Sequence, residues 1–310
     1  MQKHNKLNIV LPQAPHFSLA SKNGENVLCA LANYFELTKP RLLFVVLLSA
    51  AVGFYLGSQR VFSQLTFALS VVATAFVGGG AMALNEYLER ESDAKMFRTM
   101  NRPIPANHIA PERALIFGIA ISAIGFLMFA VFVNWISFAF ALATSVSYLF
   151  FYTPLKKKTS LATFVGAIPG ALPPLIGWSG ATGAINHQAL SLFVIVFFWQ
   201  IPHFLSIDWM YRSDYKRAGF PTLAVKDHEG KTVGRQMVVN MSALLCVSLL
   251  PTIFEMAGSV YFFGVFALGI SFAGVILYAL HDLNERARYV LRASVAYLTL
   301  LFVLIAIDKI

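Results

Sequence analysis

From Val61 to Pro103 the chain reads VFSQLTFALSVVATAFVGGGAMALNEYLERESDAKMFRTMNRP. A run without a single charge, Val61–Asn85, passes directly into a stretch carrying Glu86, Glu89, Arg90, Glu91, Asp93, Arg98 and Arg102. The apolar part has the length of one bilayer crossing, about 20 residues. Asn85, Glu89 and Asp93 stand four apart, so a helix stacks them on one face, drifting by only about 40° per step. Oxygen-bearing side chains stacked at a membrane boundary, with arginines close behind, suit a hard cation and a phosphorylated ligand. A solvated mixed-charge loop following a span is the plainer alternative. Acidic groups at the end of a membrane helix are expensive and mark function there. The regular spacing of Asn, Glu and Asp therefore favours a site.

Composition extends this reading to the whole chain. Hydrophobic residues make up 57% of it and charged residues 13%, against about 25% charged in soluble domains; mean hydropathy is +0.66. The class is an all-α polytopic membrane protein. Charge-free runs supply single spans at Leu42–Gln59 and Val61–Asn85, then two within Ala114–Leu155 with a turn near Asn134. Two more lie within Thr159–Ile207, divided by Gly180–Asn186, and single spans follow at Gln236–Phe254, Met256–Leu280 and Ala293–Ile307. The expectation is a nine-helix bundle over residues 41–310, preceded by a cytoplasmic tail, 1–40. That tail lacks the apolar core of a signal peptide. Val27–Leu37 suits a short interfacial helix.

Nine spans put 22 of the 24 lysines and arginines on one side, with only Arg60 and Lys309 opposite. Positive-inside reasoning makes that side cytoplasmic, N-terminus included. The net charge of +9 follows from topology and anionic ligands or lipid, and nothing calls for nucleic acid. Cys29 and Cys246 stand alone, without metal or redox spacing.

Other polar positions cluster on the same side. The fifth span, Leu161–Trp178, contains Gly166, Pro169, Gly170, Pro173, Pro174 and Gly177. Broken helices are tolerated where buried in protein or lining a cavity; a cavity wall is expected over a merely kinked packing helix. The sixth ends Trp199-Gln200-Ile201-Pro202-His203-Phe204 and is followed by Asp208, Asp214 and Arg217. A continuous helix would align His203 with Asp214, eleven residues on. On spacing alone Asp214 and Arg217 read as a solvated loop, and His203 divides evenly between core and ligand. Lys156-Lys157-Lys158 reads first as a membrane anchor, and one of the three can reach an anionic substrate.

Asn85…Glu89…Asp93 with Arg98-Thr99 and Arg102-Pro103 resembles the first aspartate-rich motif of the UbiA superfamily of membrane prenyltransferases. Leu37–Arg41, Thr159–Trp178, and Trp199–Phe204 with Asp214–Pro221 look like its protohaem IX farnesyltransferase branch. The resemblance runs from about Tyr34 to Asp308.

It implies a bundle whose central cavity opens to the cytoplasmic side. The reaction implied is Mg²⁺-dependent transfer of farnesyl from farnesyl diphosphate to a vinyl group of protohaem IX, with water adding, in a bacterial inner membrane or, as the alternative, a mitochondrial one. Asn85, Glu89, Asp93 and Asp214 become catalytic and metal-binding positions. Arg98, Arg102, Lys156 and Arg217 become diphosphate contacts, and His203 a haem-side candidate. The lipid bilayer is the surrounding partner, and a haem-processing or oxidase-assembly protein would receive the product. Glu89 stands where Asp is usual, moving the carboxylate by on the order of 1 Å, and Asp208 where the branch is usually apolar. The competing functions are a UbiA-type enzyme with an aromatic or chlorin acceptor, and a transporter or assembly partner without catalysis.

Overall fold

A computed structural model of the chain describes residues 23–58 and 62–310. Lys3, Lys6 and Lys22 of the expected tail, and Arg60, lie outside the described residues. The described residues are helical without a strand ladder. A short helix, α1 (Asn23–Leu37), precedes α2 (Pro40–Gly57) and the long α3 (Gln64–Asp93). Then follow α4 (Pro111–Val133) and α5 (Trp135–Leu155). Two ten-residue helices, α6 (Ala162–Ala171) and α7 (Pro173–Thr182), lead to α8 (His187–Met210), and a short α9 (Arg212–Ala218) follows it. The chain closes with α10 (Lys231–Ile253), α11 (Ser259–Leu280) and α12 (Leu283–Ile307).

Eight of these helices are long and apolar enough to cross a bilayer; α6 and α7, broken at Leu172, stand where the ninth crossing is expected. The boundaries follow local chemistry. Asn134 accepts from the Ser137 N–H at 2.8 Å and Asn186 from the Ala189 N–H at 3.0 Å, satisfying N-terminal donors that a helix leaves unpaired. Gly183 ends α7 in the left-handed region, φ 66°, where glycine carries no Cβ penalty.

Without a hydrophobic drive between helices in lipid, close backbone approach decides packing. The α3–α4 seam meets at Gly80, where an added Cβ would lie 2.7 Å from the Gly118 carbonyl oxygen. The α2–α7 seam is tighter, and a Cβ on Gly177 would lie 1.8 Å from the Ala50 oxygen. Helix α8 packs centrally against α6, α10 and α12.

Two expectations need correcting. The α7 half of the proline-rich span is a close-packed seam rather than a cavity wall: Pro173, Pro174 and Gly177 are buried, and a Cβ on Gly53 of α2 would collide with Pro174. The path from His203 to Asp214 is not one helix, since Tyr211 (φ −110°, ψ 21°) separates α8 from α9.

Candidate active site

The last three turns of α3 carry the first motif. Asn85, Glu89 and Asp93 are each at most 2% exposed and share the face expected from their spacing. Each holds a different cation. Lys39 Nζ donates to Asn85 Oδ1 at 2.8 Å. Lys156 Nζ lies 3.1 Å from both carboxylate oxygens of Glu89. Arg102 Nη1 donates to Asp93 Oδ2 at 2.7 Å. Asp93 Oδ1 is buried without a hydrogen-bond partner.

Neighbouring elements fix these groups. Toward its end α5 widens into a π-helical turn, Ser147–Tyr152, a form concentrated at functional sites. It presents Thr153, whose Oγ1 accepts from Asn85 Nδ2 at 3.0 Å, and then Lys156. The Lys156 ammonium also lies 5.5 Å from the Tyr152 ring centroid and 5.3 Å from that of Phe220. After α3 the chain turns back on itself: Thr99 Oγ1 donates to the Asp93 carbonyl at 2.9 Å, which brings Arg102, three residues beyond Thr99, to the Asp93 carboxylate.

The second motif closes over the first. Asp214 Oδ2 accepts from the backbone N–H of Arg98 at 3.1 Å, and Asp214 Oδ1 from Arg217 Nη2 at 2.6 Å. Arg98 Nη2 reaches the Tyr215 hydroxyl at 3.3 Å, and its guanidinium lies over Tyr211. The Arg217 guanidinium covers Phe97, 3.6 Å from the ring centroid. Met96, Tyr215 and Phe220 pack together beneath. Asp214 and Arg217 are thus brought to the first motif. His203 is not among these contacts: its Nδ1 pairs with Ser294 Oγ at 2.8 Å and its ring stacks on Trp199.

Charge among the flanking cations follows from this geometry. Burial works against the charge on Lys156, but Glu89 outweighs it and raises the ammonium's pKa above its ordinary value. Burial likewise opposes the charge on Arg102, and Asp93 more than offsets it. Lys39 goes the other way: burial first, then Arg102, pull it down to about 8.

The donor set fits a hard divalent ion. Two carboxylates and an amide offer oxygen only, and the buried, unpartnered Asp93 Oδ1 leaves one carboxylate oxygen to spare. Mg²⁺ binds through one or two carboxylates plus substrate phosphates rather than a dedicated protein cage. Among the described residues no three His, Cys, Asp or Glu converge on one point. An open depression of about 390 Å³ beside Tyr55, Ser58 and Lys309 lies at the other end of the bundle and contains none of this chemistry.

Lys39, Thr153 and Tyr215 were not singled out from sequence. A lysine in a basic tail reads as a topological anchor, and a lone Thr or Tyr gives no signal. Asp208 finds an account: it is buried, and its Oδ2 accepts from the Ala224 N–H at 3.2 Å, fastening the segment that follows Phe220 to α8.

Residues 46–303 match the UbiA prenyltransferase family. The protoheme IX farnesyltransferase of Solibacter usitatus is 41% identical over 290 residues, covering 90% of this chain and 99% of the relative. That of Myxococcus xanthus is 37% identical, covering 93% and 98%. In structure, the chain is similar to a digeranylgeranylglyceryl phosphate synthase, with a TM-score of 0.75 at 18% identity over 90% of this chain and 98% of the other. It is also similar to a UbiA homolog from Archaeoglobus fulgidus bound to DMAPP and Mg²⁺, with a TM-score of 0.64 at 17% identity over 86% and 99%. At such identities these two likenesses speak for the fold alone.

Proposed function

Because the chain belongs to the UbiA prenyltransferase family, we propose that it transfers a farnesyl group from farnesyl diphosphate to a vinyl group of protohaem IX, with water adding to the vinyl-derived carbon, giving haem O and diphosphate. The observation that carries the chemistry is the seam between the two polar motifs, where the Arg98 N–H meets Asp214 beside the stacked Asn85, Glu89 and Asp93. The named relatives, aligned over nearly their whole length, support protohaem as the acceptor.

Asn85, Glu89 and Asp93, with Asp214 of the second motif, would hold Mg²⁺ together with diphosphate oxygens, and the ion would there supply charge neutralisation for the leaving diphosphate. Arg98, Arg102, Lys156 and Arg217 are the diphosphate contacts on this reading; arginine's planar fork suits phosphate oxygens, and Lys156 contributes a point charge. Their donors hold the leaving group after ionisation, so that the allylic carbon is taken by the vinyl group rather than recaptured by diphosphate. The apolar bundle takes the prenyl chain and keeps bulk water from the reacting carbon. His203 is kept as the acceptor-side candidate.

Twenty-two basic residues on the motif side favour a cytoplasmic site in a bacterial inner membrane. The product would pass to a haem-processing or oxidase-assembly partner. Incubating the purified protein with protohaem, farnesyl diphosphate and Mg²⁺, followed by mass analysis of the haem, tests the reading. A farnesyl-plus-water mass gain that disappears with EDTA is expected; unmodified haem under all conditions would refute it.

A further inference from the structure

Each carboxylate of the first motif has its own cation, but Lys39 does not fit that bookkeeping. Its ammonium reaches in among the acids, yet its hydrogen bond is to the neutral amide oxygen of Asn85. Among the described residues no carboxylate lies within ion-pair distance of it. A half-buried ammonium satisfied by one amide is a costly arrangement.

The backbone adds to the cost. Lys39 has φ 48° and ψ 61°, in the left-handed region, and it precedes Pro40. A non-glycine residue is rare there, and a following proline disfavours helical conformations further. Strain of this kind persists where surrounding structure enforces it, typically at functional sites. Here Leu37, fully buried, is packed with Ala83, Ile104 and Ile109. The Thr38 methyl closes on Gly79, and a Cβ there would lie 3.3 Å away. The turn between α1 and α2 is therefore pinned on both sides in the conformation that points Lys39 at Asn85.

We propose that Lys39 is a further diphosphate-binding residue, whose ammonium exchanges Asn85 Oδ1 for a diphosphate oxygen when the cation takes that amide oxygen, and that this exchange is felt in α1. Asn85 is suited to the exchange because Thr153 independently fixes its Nδ2, so its oxygen keeps its aim when Lys39 leaves. Helix α1 is suited to report it, since Leu37 and Lys39 are separated by a single residue and its outer side chains Val27, Leu28 and Leu31 are exposed. The inference rests on the diphosphate-site reading given above.

Inorganic pyrophosphate with Mg²⁺ is the probe, titrated calorimetrically into the full-length protein in lipid nanodiscs. Lys39→Met should weaken pyrophosphate binding by about tenfold or more, the scale of a lost charge-assisted contact, while Lys39→Arg stays within a few-fold of the parent. A second readout uses Cys29, which is exposed on α1. With Cys246→Ser as background, a fluorophore on Cys29 should respond to pyrophosphate in the parent and not in Lys39→Met. Should Lys39→Met fail to fold, the Cys29 response of the parent still decides, because a silent fluorophore at saturating pyrophosphate overturns the exchange. Pyrophosphate affinity unchanged in Lys39→Met, with Asp93→Asn binding weakly, overturns the role of Lys39 alone. A parent protein that binds no pyrophosphate overturns the site reading as well.

Discussion

The backbone N–H of Arg98 donates to Asp214 Oδ2 at 3.1 Å, joining residues 116 positions apart. The other oxygen of the same carboxylate takes Arg217 at 2.6 Å. One buried side chain thus holds the loop after α3 and a cation of the second motif together. A main-chain donor on that loop depends on it, so removing the carboxylate loosens more than one contact.

Asp214→Ala should leave the Arg98 N–H without its acceptor, at a cost of roughly 1–3 kcal/mol, and free the loop. Turnover should fall by at least about tenfold, and trypsin should cut faster at Lys95 and Arg98. Asp214→Asn keeps an acceptor oxygen and should protect the loop better than Ala does. Equal proteolysis rates in both variants would show that the seam does not depend on this carboxylate.

Asp93→Asn and Glu89→Gln should each cut turnover by orders of magnitude in folded protein, with the Mg²⁺ dependence shifted to higher concentration, because a charged oxygen ligand is lost. Glu89→Gln also leaves the Lys156 ammonium without its counter-charge, so it should cost thermal stability as well. Near-normal turnover in both at saturating Mg²⁺ and substrate would remove them from the mechanism.

Local periodicity made the first motif legible: residues four apart on a long helix share a face whatever packs against it. The turn near Asn134 and the break within Gly180–Asn186 were equally readable, although the helix runs on to Thr182 before Gly183 ends it. Lys39 was not. Its role depends on a left-handed turn and on a partner 46 residues away, and neither leaves a mark on composition. The α7 half of the proline-glycine run in the fifth span misled for a related reason. Small residues and breaks serve a cavity wall and a close-packed seam alike, and only the identity of the neighbour, here α2, decides between them.

The charge distribution predicts that Lys157 and Lys226 face the cytoplasm and Asn186 the opposite side. Single cysteines at these positions, in a background lacking Cys29 and Cys246, can be labelled from outside intact cells with an impermeant maleimide. Position 186 should react and positions 157 and 226 should not. Labelling at 226 from outside would refute the nine-span topology.

Gly177→Ala should be destabilising, because its Cβ would meet the Ala50 carbonyl carbon and oxygen, which cannot rotate away. A forced backbone shift in a packed seam costs about 1–3 kcal/mol or more. Gly274→Ala on α11 is the matched control, with nothing within 4 Å of the added carbon; helix propensity there favours Ala by up to about 1 kcal/mol. Thermal unfolding in detergent should place Gly177→Ala below the parent and Gly274→Ala at or above it.

Arg217 and His203 should separate the two substrates. Arg217 bonds Asp214 at the motif seam, and its side chain is 37% exposed, so solvent screens part of any contact with diphosphate. Arg217→Ala should raise the KM for farnesyl diphosphate several-fold, consistent with about 1 kcal/mol, and leave the KM for protohaem unchanged. His203 sits on α8 against Trp199 and Ser294, away from the seam contacts. His203→Ala should therefore spare the farnesyl diphosphate KM and act on protohaem binding or the chemical step. A lowered melting temperature with both KM values and kcat intact would make His203 a packing residue of the α8–α12 contact. A shift confined to the farnesyl diphosphate KM would place it in the wrong pocket.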